Sequence, residues 1–211
     1  MEITEQIQSY LDEILPDAAC ALVFSSPFEC LCAVMLSAQT TDKSVNQVTP
    51  DLFKAYPNAD ALSKAKLEDV ENIIKRLGLY RNKAKNLIAL SAALVERHQG
   101  EVPNDKKALT ALPGVGVKTA NVVLAECYGV PAIAVDTHLS RVSKRLGLAK
   151  ENDDPITIEG KLEKRFPKER WIKLHHQLIW FGRIQCKALS PDCKNCKLHG
   201  ICRYFKKLNR D

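Results

Sequence analysis

With 211 residues and eight cysteines, the chain can bury a substantial core as one large domain or two small ones. Its longest apolar runs fall far short of a bilayer span, and Met1-Glu-Ile-Thr-Glu-Gln lacks the basic start and apolar core of a signal peptide; the sequence predicts a soluble, intracellular protein, not a membrane one. The net charge of +6 lies in the tail, where residues 181–211 hold eight basic residues (Arg183, Lys187, Lys194, Lys197, Arg203, Lys206, Lys207, Arg210) and two acidic ones (Asp192, Asp211), a patch that suggests a polyanionic partner such as nucleic acid.

In chain order, Ile3, Ile7, Leu11, Ile14 and Leu15 recur at helical spacing until Pro16 stops the pattern. Ser26-Pro27-Phe28-Glu29 has the form of a capping box, and the helix it opens, through Cys30, Leu31, Ala33, Val34, Met35 and Leu36, is apolar nearly all round and therefore central. The polar run Ser37 to Asp42 ends it and caps a following helix carrying Val45, Val48, Leu52 and Phe53, closed by Pro57. Val70, Ile73, Ile74 and Leu77 form the next stripe, with Gly78 expected as its left-handed cap. Leu79, Tyr80, Arg81 and Asn82 read as a loop before a long helix with Ala84, Leu87, Ile88, Leu94 and Val95 that runs to Gly100, and a short helix spans about Asp105 to Ala111.

The stretch Leu112-Pro-Gly114-Val115-Gly116-Val117-Lys118-Thr-Ala120 follows. Two glycines one residue apart, after a proline and before an apolar helical segment, describe a tight turn feeding a helix, whose unpaired amides and positive dipole end suit an anion such as a phosphate. Lys118 falls in the first turn of that helix, where the dipole disfavours a cation and so favours the neutral amine that a nucleophile requires. A solvated, inert lysine is the alternative.

No segment alternates with period two between hairpin turns, so the sequence predicts an all-helical protein. The nearest approach to a strand, Val130 to Val135, ends in Asp136, which would cap a helix carrying Leu139, Val142 and Leu146 and terminated by Gly147. Because Asp136 emerges from a buried run, it is also a candidate acid–base group. Asp154-Pro155 opens a helix with Ile156 and Leu162, and Trp171 to Gly182 forms the last long one.

Cysteine usage divides in two. Cys20, Cys30, Cys32 and Cys127 lie in or near apolar segments and read as small core residues, since a reducing compartment disfavours disulfides. Cys186, Cys193, Cys196 and Cys202, separated by six, two and five residues, can enclose zinc or an iron–sulfur cluster. One close pair with a single ligand on each side favours a 4Fe-4S cluster, structural in role, which would fix a basic loop carrying Lys187, Lys194 and Lys197.

Leu112 to Val123, then Val135-Asp136-Thr-His138, then the cysteine spacing, resemble the endonuclease III family of the helix-hairpin-helix DNA glycosylase superfamily, with Leu36-Ser-Ala-Gln39-Thr and His175-His176 also matching. The resemblance covers nearly the whole chain. It implies two helical domains with the lesion site between them: a six-helix barrel over 19–130 that contains the helix-hairpin-helix, and a cluster domain made of 1–18 and 131–211. Residue by residue, Lys118 matches the Schiff-base lysine and Asp136 the catalytic aspartate. Gln39 matches the residue that fills the gap left by the extruded nucleotide, and Leu79 the wedge. Gly114, Val115 and Gly116 would grip a phosphate, with Lys187 and Lys194 on the DNA side of the cluster loop. The implied activity is removal of oxidised pyrimidines and β-elimination at the abasic site, by a monomer acting on double-stranded DNA with damaged pyrimidines or abasic sites, in the cytoplasm at the nucleoid. Val117 stands where some members of the family carry arginine, and Thr110 where a glutamate is common; Val117 is expected to exclude water from Lys118. Adenine or mismatch-thymine glycosylases and a non-catalytic phosphate-gripping module are the competing readings; the first usually lack a lysine at the Lys118 position, and Lys118 together with Asp136 argues against the second.

Overall fold

The computed structural model describes residues 2–208; Arg210 and Asp211 of the basic tail lie outside them. The described residues are helical with no strand, and the chain divides into a contiguous unit, 20–130, and a discontinuous one that joins 1–19 to 131–211. The region Val130 to Val135 is extended but unpaired.

The contiguous unit contains α2 (Pro27–Leu36), α3 (Asp42–Asn46), α4 (Thr49–Ala55), α5 (Ala59–Ser63), α6 (Leu67–Ile74), α7 (Tyr80–His98), α8 (Lys106–Thr110) and α9 (Val117–Tyr128). The region expected as a six-helix barrel thus carries eight helical segments, of which α3, α5 and α8 are only five residues long. Eight of the ten residues of α2 are buried, in agreement with its all-round apolarity, and it packs against α9, α3 and α7. Leu31, Leu36, Leu87, Leu90 and Leu94 are fully buried in this core, each contributing roughly 1.5–3 kcal/mol relative to exposure.

Several local expectations change. At Ser26 the Glu29 amide donates to Ser26 Oγ (3.2 Å), but the Glu29 carboxylate reaches back to the Ser25 amide and hydroxyl (2.6 and 2.7 Å), so the box is closed one residue early. The single helix expected after Asp42 is two, because Pro50 has no amide to donate and starts a new helix in its first turn, leaving a break at Gln47 and Val48. Helix α5, capped by Asn58, lacks a periodic stripe long enough to read. Gly78 is not left-handed: Leu79 adopts that conformation (φ 58°), and Tyr80 to Asn82 begin α7 instead of forming a loop.

The discontinuous unit contains α1 (Ile3–Ile14), α10 (Thr137–Leu146), α11 (Pro155–Arg165), α12 (Trp171–Ile184) and α13 (Arg203–Leu208). Helix α1 is tied to α12 and the turn before it through Asp12, which accepts from Arg170 (2.8 Å), Lys173 (2.9 Å) and Gln177 (2.9 Å). Trp180 Nε1 donates to the Ala19 carbonyl at 2.9 Å, which anchors Ala19 to this unit. Helices α10 and α12 approach closely at Gly182, where a Cβ would stand 3.1 Å from the Cβ of His138. Ile156, expected on a core face of α11, is 74% exposed, leaving Ile158 and Leu162 to anchor that helix. Helix α13 has three basic residues among its six and is too short to show a periodic stripe in the sequence.

Candidate functional site

The hairpin is built on α2 and α7. Gly114 has φ 75°, a conformation that favours glycine, and a Cβ there would meet Met35 Sδ at 2.9 Å and Asn86 Cβ at 3.3 Å. Val115 is buried, and its amide donates to the Leu112 carbonyl (3.2 Å), so this residue anchors the turn and its N–H is already used. Gly116, with φ −90° and ψ 173°, is the N-cap of α9, and no side chain caps the helix. The first bond of the helix runs from the Ala120 amide to the Gly116 carbonyl at 3.0 Å; the amides of the residues between them precede the ladder and are open to an anion.

Lys118 occupies the second position of α9, exposed, with no ion pair among the described residues. Val117 is itself 46% exposed, so it does not shield the amine from water as expected from its apolarity. Thr110 turns its hydroxyl back onto the carbonyls of Lys106 and Lys107 (2.9 and 3.1 Å), a bond within its own helix.

Gln39 and Leu79 are both exposed and both left-handed, at φ 54° and 58°. Non-glycine residues seldom adopt this conformation, and those that do cluster where function holds them. The Gln39 corner is closed by a bond from the Thr40 amide to the Ser37 carbonyl (3.1 Å). Behind it lies Lys83, a residue absent from the sequence reading: it is 6% exposed, its Nζ donates to Thr40 Oγ1 at 2.5 Å, and burial lowers its pKa.

In the discontinuous unit Asp136 is half-buried and caps α10, its Oδ1 accepting from the Leu139 amide at 2.7 Å. Two arginines one turn apart on α10, also missed, gather the start of the cysteine loop. Arg141 donates to the carbonyls of Gly182 (2.7 Å) and Cys186 (3.2 Å), and Arg145 to those of Lys187 (2.6 Å) and Ala188 (3.1 Å), while its guanidinium lies 4.1 Å from the centre of the Tyr204 ring. Their four-residue spacing on a helix was the available signal.

Cys186, Cys193, Cys196 and Cys202 line one small cavity with Leu146, Phe181 and Tyr204. Among the described residues no three His, Cys, Asp or Glu side chains are drawn together as ligands of a metal ion; the four thiols stand around the cavity instead. Arg145 lies 3.5 Å from Cys186 Sγ, and burial together with the neighbouring thiols pushes Cys196 up to about 11. Lys187 and Lys194 are exposed and form no ion pair among the described residues, whereas Lys197 is paired with Glu13. No described helix is long and apolar enough to cross a membrane.

Comparison with known proteins adds the family. Residues 32–168 match the model of the HhH-GPD superfamily base excision DNA repair proteins. The chain is 50% identical over 209 residues to endonuclease III of Bacillus subtilis, covering 98% of this chain and 95% of the relative, and 45% identical over 204 residues to that of Escherichia coli, covering 97% and 96%. Its fold matches a trapped endonuclease III–DNA covalent intermediate with a TM-score of 0.93, at 50% identity and full coverage of both chains. A thermostable thymine-DNA glycosylase shares the fold (TM-score 0.85) at 24% identity. The chain therefore belongs to the endonuclease III family of the HhH-GPD superfamily, base excision repair enzymes with DNA glycosylase and abasic-site lyase activity.

Proposed function

We propose that this chain binds double-stranded DNA, removes oxidised pyrimidines and cleaves the resulting abasic site, with Lys118 as nucleophile and Asp136 as the acid–base group. The observation that carries the reading is the position of Lys118, exposed at the second residue of α9 directly after a glycine turn whose following amides are uncapped. That arrangement seats a phosphate and an amine side by side, which fixes the register of a nucleotide relative to the nucleophile.

A base inside the stack is out of reach, so the damaged nucleotide is extruded, most readily where damage has weakened stacking. Neutral Lys118 attacks the sugar C1′; the bond from C1′ to the base breaks, and the base departs with the electron pair and takes up a proton. Ring opening leaves a protonated imine on Lys118. The imine acidifies the C2′ proton, whose loss expels the 3′ phosphate by β-elimination, and water then releases the lysine. Asp136 supports proton transfer and the positive charge that develops on the sugar. Gln39 and Leu79, held in left-handed backbone on exposed corners, fill the vacated space and part the strands, and Lys187 and Lys194 meet phosphates.

The four cysteines are assigned to a 4Fe-4S cluster. In such a cluster each thiolate binds a different iron, so the sulfurs stand further apart than ligands of one zinc ion, and four thiols around a cavity, without a convergent ligand group, suit the former. The group's contribution is structural, fixing the loop that Arg141 and Arg145 grip. The enzyme acts as a monomer, in the cytoplasm at the nucleoid.

Borohydride should trap the protein covalently on a duplex with an abasic site or an oxidised pyrimidine, and Lys118→Ala should abolish the adduct. Adduct formation by the variant at the wild-type rate would assign the nucleophile elsewhere.

A further inference from the structure

Leu79, Lys83 and Asn86 fall at i, i+4 and i+7 of the start of α7, one continuous stripe. Each member of the stripe touches a different part of the candidate site. Leu79 is the exposed left-handed residue that begins the helix, and its carbonyl accepts the Lys83 amide at 3.0 Å. Asn86 packs where Gly114 turns the hairpin. Lys83 reaches across to the corner that follows α2, where Thr40 Oγ1 takes its Nζ at 2.5 Å; the same hydroxyl stands 3.4 Å from the Ala38 carbonyl, so the contacts bracket Gln39 on both sides.

A buried lysine without a carboxylate partner needs a physical reason, because burial penalises an ammonium and a neutral side chain of equal length would fill the same volume. Lys83 forms no ion pair among the described residues, and only 6% of it is exposed. What the ammonium supplies here is a donor and a positive charge beside the C-terminal, negative end of α2, just beyond Leu36. Both hold the Ser37–Thr40 corner in a backbone that glutamine does not prefer.

We propose that Lys83 is a positioning residue that locks the Gln39 corner to the Leu79 turn, so that the two side chains enter the duplex as one rigid pair. The proposal rests on the reading of Gln39 and Leu79 as duplex-probing residues. Lys83 touches no substrate; it acts through Thr40 and through the first turn of α7.

The test compares duplex and single-stranded DNA carrying the same abasic site, since only the duplex has a strand to part. Lys83→Met and Thr40→Val should each lower kcat/KM on the duplex by 10-fold or more while changing borohydride trapping on the single strand by less than 3-fold. With 2-aminopurine opposite an uncleavable abasic analogue, the fluorescence rise on binding should fall in both variants, and Lys83→Arg should restore part of it. The double variant should be no worse than Lys83→Met alone, because both remove the same bond. An unchanged ratio of duplex to single-strand activity in folded Lys83→Met, or in the nearly isosteric Thr40→Val should the first variant fail to fold, would overturn the proposal. Absence of trapping by the wild-type protein on either substrate would instead overturn the catalytic reading beneath it.

Discussion

Asp136 Oδ1 accepts the Leu139 amide at 2.7 Å, and among the described residues no other hydrogen bond reaches this carboxylate. One oxygen therefore caps α10 while the other makes no hydrogen bond among the described residues, so the structural role and the proposed catalytic role separate by substitution. Asp136→Asn retains an N-cap oxygen of similar strength and should leave stability nearly unchanged, while turnover falls by orders of magnitude. Asp136→Ala should lose turnover and, in addition, about 1 kcal/mol of stability. Urea denaturation beside single-turnover kinetics distinguishes the two, and near-normal turnover of the asparagine variant would reduce Asp136 to a cap.

The two hairpin glycines should respond differently to alanine. Gly114→Ala forces a left-handed alanine and crowds the flexible Met35 thioether, for a loss of roughly 1–3 kcal/mol and several degrees in Tm. Gly116 has negative φ and open space where a Cβ would go, so Gly116→Ala should fold with a loss within about 1 kcal/mol. Its methyl group would cover the amides proposed to receive the phosphate, and duplex affinity should drop with a shallower dependence on salt. Differential scanning calorimetry and binding across a salt series check both expectations.

Stability in acid should depend on Asp12. Burial alone would raise its carboxyl, but hydrogen bonds from Arg170, Gln177 and Lys173 outweigh that and hold it well below the usual carboxylate range. A depressed native pKa stabilises the fold above the ordinary value, about 3.9, and the contribution is lost as pH falls through the native value. Asp12→Asn should therefore be less stable than wild type at neutral pH, and the difference should close below about pH 4. With the carboxylate 38% exposed, solvent limits the neutral-pH difference to the order of 1 kcal/mol. A gap that stayed constant between neutral pH and strong acid would remove Asp12 from the acid response.

Iron removal should loosen a defined segment. Between α12 and α13 the chain has only turns and Leu189 is 86% exposed; the segment is held by Arg141, Arg145, the Lys197–Glu13 pair and buried Leu198, with the four thiols around the cavity. Protein with its cluster should be brown and resist trypsin at Lys187 and Lys194; chelation should bleach it and open both bonds while the helices of 20–130 persist by circular dichroism. Colourless, zinc-loaded protein with full activity and protease resistance would reverse the metal assignment.

Much of the fold was legible because its signals are local. Asp105, Asp136 and Asp154 each bond the amide three residues on, and these caps mark the starts of α8, α10 and α11. The misreadings arise where local preference and structure disagree. Glycine is the default left-handed residue, so local preference points to Gly78 for the turn before α7, whereas the strained residue is Leu79, whose own preference opposes that conformation. Lys83 could not be found by pattern, since its partner Thr40 lies 43 positions away and burial is a property of the packed fold. The arginines on α10 show their spacing in the sequence, but their partners lie more than 40 positions later and meet them only in the packed fold.

The division of the chain at 19 and 131 also sets an order of events during synthesis. Residues 20–130 are contiguous, so this unit can close on itself while the ribosome is still making the remainder, and Lys118 is in place early. Helix α1 emerges before that unit yet waits longer: Asp12 meets Arg170 and Gln177 only after a further 158 and 165 residues have been made. The unit that carries Asp136 and the four cysteines is thereby the last to assemble, and a nascent or truncated chain holds Lys118 without the aspartate proposed to work with it.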